Sequence, residues 1–127
     1  MKYAIEIKSN LEAAVGNLQA ARESLQKARY DVAASHAAEA TFHTATVLLL
    51  DEEIEPGKQG DVISLIHQIF VNGRRLTKEQ GENLGWLFQL RKAEGQVMHR
   101  PVSFEEARKA VEFAESFFAA AKVILEA

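Results

Sequence analysis

The chain contains no cysteine. A disulfide framework, a thiolate metal centre and a cysteine nucleophile are excluded together, and the absence fits a reducing cytoplasm, where we expect the protein to reside. Proline is scarce too, with two residues, Pro56 and Pro101, so long stretches can stay helical. The seven glycines are scattered, and we place them at turns. No Gly-rich phosphate loop follows a strand, and neither a G-x-S-x-G elbow nor an H-E-x-x-H helix occurs. The longest apolar run, Val47–Leu50, stops at Asp51-Glu52-Glu53 and is far too short to cross a bilayer. Met1–Lys8 carries charges at Lys2, Glu6 and Lys8 and lacks a signal pattern, so no membrane partner is expected. Positive charge is not in excess either. A formal net charge of −3 argues against holding nucleic acid by bulk electrostatics and leaves room for a local basic patch.

What is present is a hydrophobic fraction of 47% in 127 residues, enough for one domain with its own core, residues 1–127. The apolar period is helical almost throughout. Leu11, Val15, Leu18, Ala21, Leu25 and Ala28 recur at three and four, with Ser9 and Glu12 as a capping box and an end near Arg29. Residues 1–8 read equally as an extended arm or as the first turns of this helix. Asp31 is the expected N-cap of a second helix, and Pro56, Gly57 and Gly60 mark the loop after it. Asp61 caps a short third helix that Asn72-Gly73 closes. Thr77 with Gln80 opens a fourth, bearing Leu84, Leu87, Phe88 and Arg91 on its apolar face. Ser103 with Glu106 opens the last, and Val102 with Ala107 supplies its hydrophobic staple. The reading is an all-α, up-and-down antiparallel helical bundle of four long helices and one short one.

The second helix, Tyr30–Leu50, is the organising stretch. It has no Pro, Gly, Lys or Arg and is rich in alanine, which favours helix and lets neighbours approach closely. His36, Glu39 and His43 fall within roughly 60° of one another at 100° per residue, on a stripe with Val32, Val47 and Leu50. Imidazole and carboxylate suit a transition metal, but bundle metal sites draw ligands from facing helices, and no second Glu-x-x-His motif occurs. No metal or other cofactor is therefore expected. The stripe reads better as the polar wall of an interface or cleft. Arg91 lies on an apolar face and needs a carboxylate, Glu39 or Glu94, a phosphate-bearing ligand or a route to water. Arg91, Lys92, His99 and Arg100 together could bind a phosphodiester, with His99 as acid–base and Arg91 stabilising charge. Arg74, Arg75 and Lys78 form a smaller cluster, read as a solvated loop.

The order of these pieces resembles the small stand-alone HEPN-domain proteins. The resemblance is carried by Tyr30–His43, a small-residue helix ending in Phe-His, then by Leu48-Leu49-Leu50 and Ile54-Glu55-Pro56. Ile63-Ser64-Leu65, Phe70-Val71 and Gly73 follow, then Leu90-Arg91-Lys92-Ala93 and Ser103–Ala107. It implies a four-to-five-helix bundle that forms a homodimer and binds a nucleotide, RNA or a minimal nucleotidyltransferase partner, often as half of a toxin–antitoxin pair. Active relatives are metal-independent ribonucleases whose motif is Arg followed, after four to six residues, by His. Here Arg91 fits the arginine, while His99 follows after seven residues, beyond Gly95. Ala38-Glu39 stands for the usual aromatic pair, Ala93-Glu94-Gly95 for the usual Ala-Asp-Tyr, and Gly60 for an expected histidine. These departures move the expectation from catalysis toward binding. Two further readings stand beside it, an endoribonuclease using Arg91 and His99 and a purely structural interaction module.

Overall fold

A computed structural model describes residues 2–94 and 101–127, with side chains for all of these except 59, 60 and 91–94. Among the described residues there are five α-helices: α1 (Ala4–Gln26), α2 (Tyr30–Asp51), α3 (Gln59–Ile66), α4 (Lys78–Glu94) and α5 (Phe104–Glu126). No strand occurs among the described residues. The all-α bundle read from the sequence is the fold.

Side-chain pairs give the directions. Asn17 meets His36 and Asn10 meets His43, so α1 and α2 run antiparallel. Tyr30 and Phe104 stack edge to face with centroids 5.6 Å apart, and the backbone N–H of Val102 donates to Asp31 at 3.0 Å. The starts of α2 and α5 therefore lie together, as expected for second and last members of an up-and-down bundle.

α2 is the hub, touching α1, α3, α4 and α5. Its alanines make this possible. Ala33, Ala37, Ala40 and Ala45 are fully buried, and with no side chain beyond Cβ they let α1 and α5 come close. Larger groups fill the space farther along: Leu48, Leu49, Ile66, Phe70, Leu84, Leu87 and Phe117 form the core. Thr41 and Thr44 are buried inside it, and their hydroxyls donate to the carbonyls of Ala37 and Ala40, at 2.9 and 2.8 Å. Neither hydroxyl is left unsatisfied. Val47 and Leu50 are buried as well, whereas Val32, on the same stripe, is exposed.

The helix ends correct several expectations. α1 begins at Ala4, so residues 4–8 are helix, and Ser9 lies inside it instead of capping it. The continuous apolar and charged pattern of residues 2–12 has no helix-breaking residue, so the capping pair is passed over. α1 ends at Gln26, before Arg29, because Ala28 turns left-handed with φ 59°. The N–H of Arg29 then reaches back to Ser24 at 2.9 Å, a Schellman-like closure built on alanine instead of glycine. Asp31 does not cap α2, whose N-cap is Arg29; its carboxylate holds Val102 instead. Asp61 sits in the first turn of α3 and accepts from the backbone N–H of Lys58 at 3.3 Å.

After Ile66 the chain continues through a π-helical turn, His67–Val71. The closing turn contains Gly73, but the left-handed residue is Arg74, with φ 63°. Gly73 is needed there for space, since a Cβ would collide with the carbonyl oxygen of Ile69. Gly16, Gly81 and Gly85 stand inside helices, not at turns. Gly81 has a packing reason: a Cβ there would come within 2.8 Å of the His67 ring. The two later capping boxes are present. Thr77 and Gln80 exchange bonds at 2.7 and 3.0 Å, and Ser103 and Glu106 bond reciprocally at 3.1 Å. Val102 and Ala107 both join the buried core, as a staple requires.

Candidate functional site

Among the described residues, one strip of α2 is less deeply buried than the rest of the helix. From residue 32 onward the positions not fully buried are Val32, Ser35, His36, Glu39, Phe42, His43, Thr46 and the terminal Asp51. The first seven recur at intervals of three and four, which is one face of a helix. The three polar residues of the predicted stripe thus share this face, and the two histidines have partners on α1.

His36 Nδ1 lies 2.8 Å from Asn17 Oδ1, and His43 Nδ1 lies 2.7 Å from Asn10 Oδ1. Each asparagine is itself oriented along α1. Asn10 Nδ2 donates to the Glu6 carbonyl at 2.8 Å, and Asn17 Nδ2 to the Ala13 carbonyl at 2.9 Å. The two rungs stand seven residues apart on both helices, a rise of about 10.5 Å, so they form a ladder across an antiparallel pair. Glu39 stands between the histidines, its Oε2 3.9 Å from His43 Nε2. The side chains of this pair are 27% and 30% exposed, so solvent and ligands reach them. Asn10 and Asn17 were not among the residues singled out from sequence. The signal available was their spacing of seven, equal to that of His36 and His43.

On the other flank of the strip stands α4. Phe42 and Phe88 meet with ring centroids 6.4 Å apart, and Phe42 also meets the His43 ring at 6.0 Å. Leu84 and Leu87 are buried, and Arg91 continues their register within the same helix. The side chains of Arg91 and Glu94 lie outside the described residues, and so do His99 and the pairings expected for Arg91 with Glu39 or Glu94. Among the described residues no three His, Asp or Glu side chains gather closely enough to hold a metal ion.

Other cations are engaged elsewhere. Arg75 pairs with Glu52 and lies over the Phe70 ring at 4.2 Å, which ties the turn before α4 to the end of α2. This gives one member of the loop cluster a structural task. Arg108 bonds Glu105 at 2.7 Å and Glu112 at 3.0 Å, and these hydrogen bonds raise its pKa above the ordinary arginine value. Lys109 stands over Trp86 at 4.0 Å. No helix among the described residues is long and apolar enough to cross a membrane.

No curated protein matches the chain. The model of the HEPN domain does match, over residues 7–124, which includes all of α2 and α4, the whole asparagine–histidine ladder and nearly all of α5. With that match spanning nearly the full sequence and the helical bundle in place, the chain belongs to the HEPN-domain family.

Proposed function

We propose that this protein is a HEPN module that works as a cytoplasmic homodimer and binds a nucleotide or RNA through the α2 strip and the adjoining face of α4. It would act with a minimal nucleotidyltransferase as the second component of a toxin–antitoxin-type pair. The observation that carries the reading is the helical register of Arg91. In sequence register it follows the buried Leu84 and Leu87 and comes one turn beyond the Phe88 that meets Phe42 of α2. A permanent cation in that position suits a phosphate-bearing ligand bordered by the polar strip. The Arg91→Ala variant tests it. Affinity for short RNA or mononucleotides should fall by about tenfold or more, the usual effect of losing a charge-assisted contact. Unchanged affinity for nucleotides and for a co-expressed nucleotidyltransferase would remove the main support.

A second reading is endoribonuclease activity with His99 as acid–base and Arg91 holding the phosphate. The family's Arg-to-His motif favours it, and the seven-residue separation of Arg91 from His99 counts against it. Products ending in a 2′,3′-cyclic phosphate that vanish in His99→Ala would establish it. RNA left intact after prolonged incubation at high protein concentration would dismiss it.

A further inference from the structure

We propose that the groove between α4 and α5 docks an arginine-bearing segment of a partner protein, with Trp86 as the platform for a guanidinium and the acidic rim as its counter-charge. The inference stands apart from the nucleotide-binding reading, because it concerns the flank of α4 that faces α5.

Helical register puts Glu79, Asn83 and Trp86 on one side of α4, at intervals of four and three. Glu105, Lys109, Glu112 and Ser116 recur on α5 in the same rhythm. Helices that pack closely bring apolar side chains to facing stripes. Here the stripes are polar except for Trp86, and the seam stays open. Two cavities of about 380 and 540 Å³ lie along it, and Lys109 and Glu112 line both. Each cavity also has an aromatic wall, Trp86 in the first and Phe113 in the second.

The charges around this groove are unequal. Glu79, Glu105, Glu106 and Glu112 line it, against Arg108 and Lys109. Arg108 is held by Glu105 at 2.7 Å and by Glu112 at 3.0 Å, and Glu106 is engaged with Ser103. Glu79 forms no ion pair among the described residues. Surplus negative charge beside aromatic rings complements a cation with a flat, weakly hydrated face. Arginine is that cation, since its guanidinium stacks on aromatic rings and its forked donors fit a carboxylate.

The free protein already keeps a positive charge on the ring. The Lys109 ammonium lies 4.0 Å from the Trp86 centroid. It is a resident that can leave, because its stem is flexible and Glu112 stands three residues on along α5, within pairing distance on a helix. An incoming guanidinium then takes the ring. Glu79 lies seven residues from Trp86, about 10.5 Å along α4, which an extended segment covers in about three residues. A second arginine three positions along the same segment therefore meets Glu79.

Trp86 is the single tryptophan of the chain, so its fluorescence reads this groove alone. The wild-type protein is titrated with a capped peptide, Gly-Arg-Gly-Gly-Arg-Gly, and with its lysine and glutamate counterparts. The arginine peptide should change the emission and bind about threefold more tightly than the lysine peptide, and the glutamate peptide should not bind. Glu79→Gln should weaken the arginine peptide about threefold, the effect of one exposed ion pair. Lys109→Met removes the competing ammonium, keeps an apolar stem and should tighten it by a similar factor. Calorimetry extends the series to Trp86→Leu, where affinity should fall about fivefold. No binding of the arginine peptide at millimolar concentration, or equal binding of the glutamate peptide, would overturn the inference. So would affinities unchanged in both Glu79→Gln and Trp86→Leu. Displacement of the peptide by spermidine at equal concentration would assign the groove to a free polyamine and overturn the partner assignment.

Discussion

The asparagine–histidine ladder makes a quantitative claim about which residues are energetically coupled. Replacing Asn17 with Ala removes the bond to His36 and the local bond to the Ala13 carbonyl. Each neutral hydrogen bond contributes about 1 kcal/mol net, and the partly buried imidazole regains some water when its partner leaves. Alanine returns roughly 0.5 kcal/mol of helix propensity. The single variant should therefore lose only about 0.5–1 kcal/mol, a drop of about 2–4 °C in a domain of this size. The informative quantity is the coupling. In a double-mutant cycle by urea unfolding, Asn17→Ala with His36→Ala should couple by about 1 kcal/mol, and Asn10→Ala with His43→Ala by a similar amount. The crossed pair, Asn10→Ala with His36→Ala, joins groups about 10.5 Å apart along the helices and should be additive within about 0.3 kcal/mol. A crossed coupling as large as the in-rung couplings would refute the ladder. So would in-rung couplings indistinguishable from zero, which would mean that the antiparallel register is set by alanine packing alone.

Four other substitutions follow from local geometry. Gly85 has open space where a Cβ would go, so Gly85→Ala should stabilise by about 1 kcal/mol, whereas Gly81→Ala pushes on the His67 ring and should be neutral or destabilising; thermal unfolding of the two separates them. Ala28 holds a left-handed conformation, so Ala28→Gly should raise stability by about 1 kcal/mol in the same assay, and a loss would show that the turn is not left-handed. Ser103→Ala removes the hydroxyl that accepts from the Glu106 N–H, leaves the backbone N–H at 103 bonded to the Glu106 carboxylate, and should cost about 1 kcal/mol in urea unfolding.

The helices were legible because their signals are local. Apolar spacing at three and four, the Thr77 and Ser103 boxes and the alanine run of α2 depend on residues within a turn or two of one another. The departures arose where a local signal has more than one outlet. Asp31 has the chemistry of an N-cap, but Val102, 71 positions away in sequence, offers it a backbone N–H once α5 folds back beside α2. Ser9 and Glu12 match a capping box, yet nothing before them stops a helix. Glycine inside α4 looks like a turn until the His67 ring is seen to occupy the room a side chain would take.

By itself, then, the sequence determined the class of fold, the central place of the Tyr30–Leu50 segment and the presence of His36, Glu39 and His43 on one helical face. Helical periodicity settles which residues share a face, since that is a matter of 100° per residue. It does not settle what that face meets. The tertiary structure decided that α1 supplies Asn10 and Asn17 to the histidines, because only the antiparallel docking of two helices sets their registers against each other. With that came the orientation of the imidazoles, each of which meets an asparagine of α1 at Nδ1.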